Sequence, residues 1–214
     1  MTAAPPDAFG PAEFAAAAGA SPAAVAEVER FRSLLEDWSG RMNLVGPSAL
    51  AQFWRRHAYD SAQLLALAPG AKVWADVGAG AGFPGVVLAI LLKEHPGSRV
   101  HLVESLQKRC RFLSAVVDEL QLPAVVHNTS SEAVKLGRLD VVTARAVAPL
   151  DRLLGLTRNL LTGRAVGLFL KGRNVEAELT EAAKTWTFRH TLTPSLSDPE
   201  GRVLRIWSVA HAPA

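Results

Sequence analysis

The stretch Val73-Trp74-Ala75-Asp76-Val77-Gly78-Ala79-Gly80-Ala81-Gly82-Phe83-Pro84-Gly85 carries the densest chemistry in the chain. An apolar run enters three alternating glycines and leaves into a second apolar run. Glycine lets a backbone turn tightly and lets a ligand approach without a Cβ in the way. In an open parallel sheet such ligands sit at the carboxyl ends of the strands. Two kinds of cofactor fit the spacing. Gly80, Gly82 and Gly85 match the dinucleotide fingerprint, and Glu104 lies roughly 20 residues further on, where that fingerprint places a ribose-binding acid. Asp76 argues the other way. It stands just before the first glycine, where a pyrophosphate would meet a carboxylate. The methionine half of S-adenosylmethionine carries an ammonium and a sulfonium, and both favour a nearby anion. Glu104 can accept from ribose hydroxyls in either case, so the methyl donor is favoured.

Those residues need a scaffold. Ser21-Pro22 reads as a helix start, with a capping hydroxyl before Pro at the first helical position. Val25, Val28, Phe31, Leu34, Leu35, Trp38 and Met42 follow at helical spacing. Pro47 opens a second helical stretch to Leu67, which Pro69-Gly70 ends, so residues 11–67 read as helices only. Residues 1–10 read as loose. After Gly70 short apolar runs alternate with helical ones. Strands are expected at 72–76, 99–104, 124–127, 140–145 and 164–170. Helices are expected near 85–94, 106–120, 131–136, 150–161 and 174–184. Such alternation implies a parallel sheet with helices on both faces. Residues 186–193 and 203–210 read as a closing antiparallel hairpin. The pattern is α/β: a Rossmann-like class I S-adenosylmethionine-dependent methyltransferase domain over 71–214, with an N-terminal helical extension over 1–70.

Composition narrows the setting. Apolar residues make up 49% and charged residues 20% of 214, as in an ordinary globular protein. The net charge is only +3, but 17 of the 23 basic residues are Arg, whose fork suits phosphate. One cysteine, Cys110, cannot pair, which points to a reducing compartment. It reads as a small core filler. Neither a signal peptide nor a run approaching the roughly 20 residues of a membrane span is legible. A cytoplasmic location and no membrane partner are expected.

The chain resembles the ribosomal RNA small subunit methyltransferase G family, also called glucose-inhibited division protein B. The matching residues are Met42-Asn43-Leu44, His57 with Asp60-Ser61, Asp76 through Gly85, Leu102 through Ser105 with Lys108-Arg109 and Phe112-Leu113, Asp140 through Ala146 with Ala148-Pro149-Leu150, and Leu170-Lys171-Gly172. Ala79 and Val147 depart from the family's usual Ser or Thr and Phe. The resemblance implies methylation of guanine N7 in the decoding-region loop of 16S ribosomal RNA, and the expected partner is that RNA or the small ribosomal subunit, met by a monomer. It also implies cofactor contacts at Gly78, Phe83, Ser131, Glu132 and Arg145.

Guanine N7 has an in-plane lone pair at neutral pH, so the chemistry is mainly alignment of the reacting atoms. No general base is expected, and none is assigned. The Asn/Asp-Pro-Pro-aromatic pattern that goes with exocyclic amine methylation is absent, as are a Gly-x-Ser-x-Gly elbow and spaced metal ligands. Arg145 ends the fourth strand and could meet the cofactor carboxylate, a phosphate or guanine O6, or form a structural ion pair. Candidate RNA contacts are Arg55, Arg56, His57, Lys108, Arg109, Arg111, Lys171 and Arg173. A non-catalytic RNA-binding module, another methyltransferase and a dinucleotide oxidoreductase remain as alternatives.

Overall fold

A computed structural model describes residues 9–213. Seven strands form one sheet in the order β3-β2-β1-β4-β5-β7-β6. The first five, β1 (Val73–Val77), β2 (Arg99–Glu104), β3 (Ala124–Asn128), β4 (Val141–Arg145) and β5 (Val166–Lys171), run parallel. The hairpin of β6 (Trp186–Pro194) and β7 (Arg202–His211) adds antiparallel to β5. The order reverses at β1, where β2 and β4 flank it. That switch point opens a crevice at the carboxyl ends of the strands. The expected strands are all present, displaced by at most two residues.

One sheet face is covered by α1 (Pro11–Ala18), α2 (Pro22–Met42), α3 (Pro47–Ala51), a π-helical segment (Phe53–Tyr59), α4 (Asp60–Leu67), α5 (Gly85–Leu91) and α6 (Gln107–Leu120). The other is covered by α7 (Leu150–Thr157) and α8 (Val175–Ala182). Ser21 caps α2 as its type demands, accepting from Ala24 N at 3.2 Å. The helices before β1 share their core with the sheet helices. Phe31 of α2, fully buried, lies 6.0 Å from Phe53, 5.3 Å from Phe83 and 6.4 Å from Phe112 between ring centroids. Those rings fix the glycine loop against α2.

Three expectations change. Residues 47–67 are not one helix, because the π-helical segment intervenes. Its wider turns rotate Arg56, His57 and Asp60 relative to a regular helix, as π segments at functional sites commonly do. Residues 131–136 form a turn over 131–133 and no helix. Asn159 Nδ2 donates to Ser131 O at 2.9 Å, taking a carbonyl that a helix would use, and Gly137 lacks helix propensity. Of the expected loose start, residues 1–8 lie outside the described part, but Phe9 is packed, stacking on Tyr59 at 5.2 Å. Among the described residues no helix is long and apolar enough to cross a membrane.

Candidate functional site

The glycine loop is shaped by two carboxylates from neighbouring strands. Asp76, at the end of β1, is 1% exposed. Its Oδ2 accepts from Gly85 N at 2.9 Å and its Oδ1 from Thr143 Oγ1 at 3.0 Å. Burial pushes its pKa up to about 7, against the pull of those two donors and of Arg145. Glu104, ending β2, accepts from Gly80 N at 3.0 Å and from Leu106 N at 2.8 Å. A carboxylate has about four acceptor positions, so Glu104 keeps capacity for hydroxyl donors.

Two glycines of the loop do different work. A Cβ on Gly85 would sit 2.7 Å from Asp76 Oδ2, so backbone and carboxylate touch only because no side chain intervenes. A Cβ on Gly80 (φ +54°) would meet nothing closer than Gly78 O at 3.5 Å. Gly80 therefore presents open space beside Glu104, on the side where Arg109 Nη1 lies 3.6 Å from Glu104 Oε2. Leu106, whose N–H Glu104 accepts, is itself 54% exposed. Gly78 and Gly82 share the loop, and Phe83 packs beneath it. Ser131 is buried and donates to Glu132 Oε2 at 3.2 Å, placing this pair just past the end of β3. Glu132 is exposed there.

On the far side of the loop, β4 and β5 open into a cleft of about 680 Å³, walled by the segment around His57, by residues 145–149 and by the β6–β7 turn. Arg145 is its centre. Its Nη1 donates to Arg56 O at 3.0 Å and to His57 Nδ1 at 2.8 Å, and lies 3.6 Å from Asp60 Oδ2. The guanidinium and the His57 imidazole both lie against the Phe83 ring, 4.9 and 4.8 Å from its centroid. Arginine can only donate. His57 Nδ1 must then carry a lone pair, which leaves the proton on Nε2. Burial first, then the charges of Arg145 and Arg56, hold the His57 pKa down to about 3.

Asp60 joins three separate parts of the chain. Its Oδ1 accepts from Ser197 Oγ at 2.5 Å and Gln63 Nε2 at 2.9 Å, and Arg56 pairs with Asp198 at 2.6 Å. These bonds seat the β6–β7 turn on the start of α4. Ala146 is left-handed (φ 53°), which costs a non-glycine residue about 1–2 kcal/mol. Lys171 Nζ holds that turn by donating to Ala148 O at 3.2 Å while pairing with Glu178 at 2.5 Å. Glu178 also accepts from Leu150 N at 2.8 Å.

The structure thus divides the predicted residues. Asp76, Gly78, Gly80, Gly82, Phe83 and Glu104 converge on the loop. Arg56, His57, Arg145 and Lys171 converge on the cleft. Lys171 is tied internally, its side chain 8% exposed. Arg55 is drawn to the Phe9 ring at 4.9 Å, and Arg173 is an exposed partner of Glu200. Cys110 is buried, its thiol pushed up by burial and by Glu104, as befits a core filler. Sequence reasoning missed Glu178, Ser195, Ser197 and Asp198. No local motif marks them; only the fold brings them to Asp60, Arg56 and Lys171.

A family description, GidB or rRNA small subunit methyltransferase G, matches residues 24–202. The chain belongs to this family. A relative named Ribosomal RNA small subunit methyltransferase G from Caulobacter vibrioides is 55% identical over 195 residues, covering 91% of this chain and 90% of the relative. Another of that name from Parvibaculum lavamentivorans is 47% identical, covering 86% and 82%. Among solved structures, a S-adenosylmethionine-dependent methyltransferase from Aquifex aeolicus aligns with a TM-score of 0.54 at 14% identity, covering 82% of this chain and 97% of that one. A mutant of MtNAS in complex with S-adenosylmethionine aligns at 0.56 and 18%, covering 87% and 72%. At such identities these two bear on the fold, which they share with class I methyltransferases.

Proposed function

We propose that the protein transfers a methyl group from S-adenosylmethionine to N7 of a guanine in the decoding-region loop of 16S ribosomal RNA. Family membership supports methyl transfer to small-subunit ribosomal RNA. One observation carries the choice of N7. Every base lining the cleft is already engaged: His57 by Arg145, Asp60 by its hydroxyl and amide donors, Asp198 by Arg56, and Glu178 by Lys171. A cleft without a free proton acceptor suits a nucleophile that has no proton to lose.

The loop fits the donor. Bound there, S-adenosylmethionine would supply a methyl group on a cationic sulfur. Glu104 would hold ribose hydroxyls, and the bare backbone at Gly80 would let them approach. Buried Asp76 sets a negative field beneath the loop, suited to an ammonium and a sulfonium. Arg145, fixed by Nη1, keeps Nε and Nη2 for an oxygen of the target. His57 presents a neutral Nε2–H donor, which suits guanine O6, beside N7. Both groups orient the base without competing for the N7 lone pair. The helical extension over 1–70, the domain over 71–214, a cytoplasmic setting and a monomeric state belong to the same reading. It rests for location on where ribosomal RNA is made.

The test is methyl transfer from labelled cofactor to undermethylated 16S RNA, with 7-deazaguanosine at the mapped position. Label on the guanine and none on the deaza substrate is expected. Continued transfer to the deaza RNA would overturn N7, and no transfer to any RNA would overturn the RNA reading.

A further inference from the structure

Away from the cleft, one of several smaller concavities on the surface, of about 520 Å³, lies between the end of α2 and the first turns of α6. It is lined by Trp38, Arg41, Met42, Asn43, Lys108 and Arg111. We propose that it is a docking groove for the single-stranded RNA flanking the target nucleotide, an assignment that rests on the RNA reading above.

Charge is the first argument. No acidic residue lines the groove, and Arg41, Lys108 and Arg111 are exposed. Among the described residues none of the three makes an ion pair or side-chain hydrogen bond. The cations of the cleft behave differently: Arg56, Arg145 and Lys171 each have an internal carboxylate, and Arg202 donates to the carbonyls of Pro199 and Gly201. Cations committed to internal partners build a site, whereas cations left in solvent on both walls of a groove serve an external anion. The first turn of α6 contains no acidic residue either.

Shape is the second argument. Trp38 stands in the groove wall, backed by Phe112 at 5.8 Å between ring centroids. Its indole N–H makes no hydrogen bond among the described residues. A supported aromatic beside phosphate-binding cations is the arrangement on which unpaired bases stack. A duplex would offer phosphates but no free base for Trp38. An acidic peptide would use the cations and leave the indole idle.

Position is the third argument. The groove borders the carboxyl end of β2 and the cleft lies over β4 and β5, on either side of β1. From β2 to β5 is three strand spacings, roughly 14 Å. RNA occupying both must cross the glycine loop, which brings its target nucleotide over the donor.

The experiment measures binding of a fluorescent 16S loop fragment by anisotropy across a salt series. It compares wild type, the triple variant Arg41→Gln/Lys108→Gln/Arg111→Gln, and a control, Arg138→Gln/Arg158→Gln/Arg164→Gln, exposed elsewhere. Single strands contribute about 0.7 to the salt slope per phosphate neutralised. The groove variant should lose about 2 units of slope and bind at least tenfold more weakly, with the control near wild type. Cofactor affinity, measured by calorimetry, should be unchanged in both. RNA should quench wild-type tryptophan fluorescence, and Trp38→Phe should lose most of that quenching while still binding. Polyglutamate serves as the competing anion; displacement of RNA by it, with quenching retained in Trp38→Phe, would assign the groove to acidic peptides. If wild type methylates RNA and the triple variant keeps its slope, the groove is overturned alone. If wild type neither binds nor methylates RNA, both readings fall.

Discussion

The glycine loop and the cleft share one sheet edge, yet they are held in opposite ways. The loop is local. Asp76 and Gly85 are nine residues apart, and Glu104 comes from the adjacent strand. Its bonds are mostly carboxylate to backbone N–H, joined by the Thr143 hydroxyl of β4, and beyond β1, β2 and the turn between β1 and α5 it leans on Phe31 of α2. The cleft is assembled from distant pieces: α3, the π-helical segment with the start of α4, the end of β4, the end of β5, α8 and the β6–β7 turn. Its bonds run from side chains to other side chains and to backbone groups of distant segments. A site made from backbone tolerates few residue types but little else can disturb it. A site made from side-chain pairs accepts more substitutions, each of which loosens a chain of contacts.

Substitutions at the loop should therefore act in two separable ways, and the larger is at Gly85. Gly85→Ala would place a methyl 2.7 Å from Asp76 Oδ2 and closer still to Leu102. Neither neighbour can retreat, because Leu102 is fully buried and Asp76 nearly so. Forced overpacking of this kind costs about 1–3 kcal/mol or more, and a lost Asp76 bond adds to it. A fall in melting temperature of several degrees is expected by calorimetry; an unchanged one would mean the loop is softer than its geometry. Gly80→Val is the counterpart. A β-branched side chain at φ +54° is strained, so some stability is lost, but with no clash the variant should stay folded and weaken S-adenosylmethionine by about 100-fold, since its side chain fills open space beside Glu104. Equal affinity in a folded variant would move the donor elsewhere.

The same contrast explains what could be read before the fold was known. Asp76, the glycines, Phe83 and Glu104 were legible because one short segment and one strand spacing encode them. The five parallel strands were legible because alternating apolar runs encode them. The π-helical segment was not, since Pro47 to Leu67 carries helical spacing and nothing in it announces wider turns. Nor was the role of Ser197 or Asp198: their partners lie more than a hundred residues away, and the turn holding them is an ordinary Ser-Pro-Gly-rich one. Arg145 fell between. Its place at the end of β4 was readable, but its partner Asp60 was not, and the partner decides that one arm is structural and the other free.

A substitution at the cleft should show the looser pattern. Asp60→Asn keeps an oxygen for Ser197 and Gln63 but turns an amide toward the Arg145 guanidinium in place of a charge. Arg145 should then lose its fixed pose. We expect kcat/KM for methyl transfer to fall about tenfold, or about 1.4 kcal/mol, with cofactor affinity within twofold of wild type. A matching loss of cofactor affinity would assign the free arm of Arg145 to the methionine carboxylate.

The smallest expected effect is the dependence of cofactor affinity on pH, and it separates the two regions by which group titrates. In the cleft His57 is held near pH 3, so it stays neutral across the working range. Beneath the loop Asp76 is raised to about 7 by burial. An acid raised on folding binds more protons folded than unfolded between about pH 4 and 7, so the free protein should lose stability as pH rises through that window. A cationic ligand has the opposite preference and favours the ionised carboxylate. Affinity for S-adenosylmethionine should therefore rise about fivefold from pH 6 to 8, with release of a proton that calorimetry in buffers of different ionisation enthalpy detects. Asp76→Asn removes the titration while keeping an acceptor for Gly85 N, so its affinity should be low and flat with pH. Its stability should no longer decline through the window. A flat profile in wild type would mean that the two internal donors hold Asp76 ionised throughout, leaving it a brace for the loop with no field to offer the donor. Methyl transfer at saturating cofactor should be flat from pH 6 to 8.5 in either case, because neither His57 nor any other base in the cleft has a proton to take.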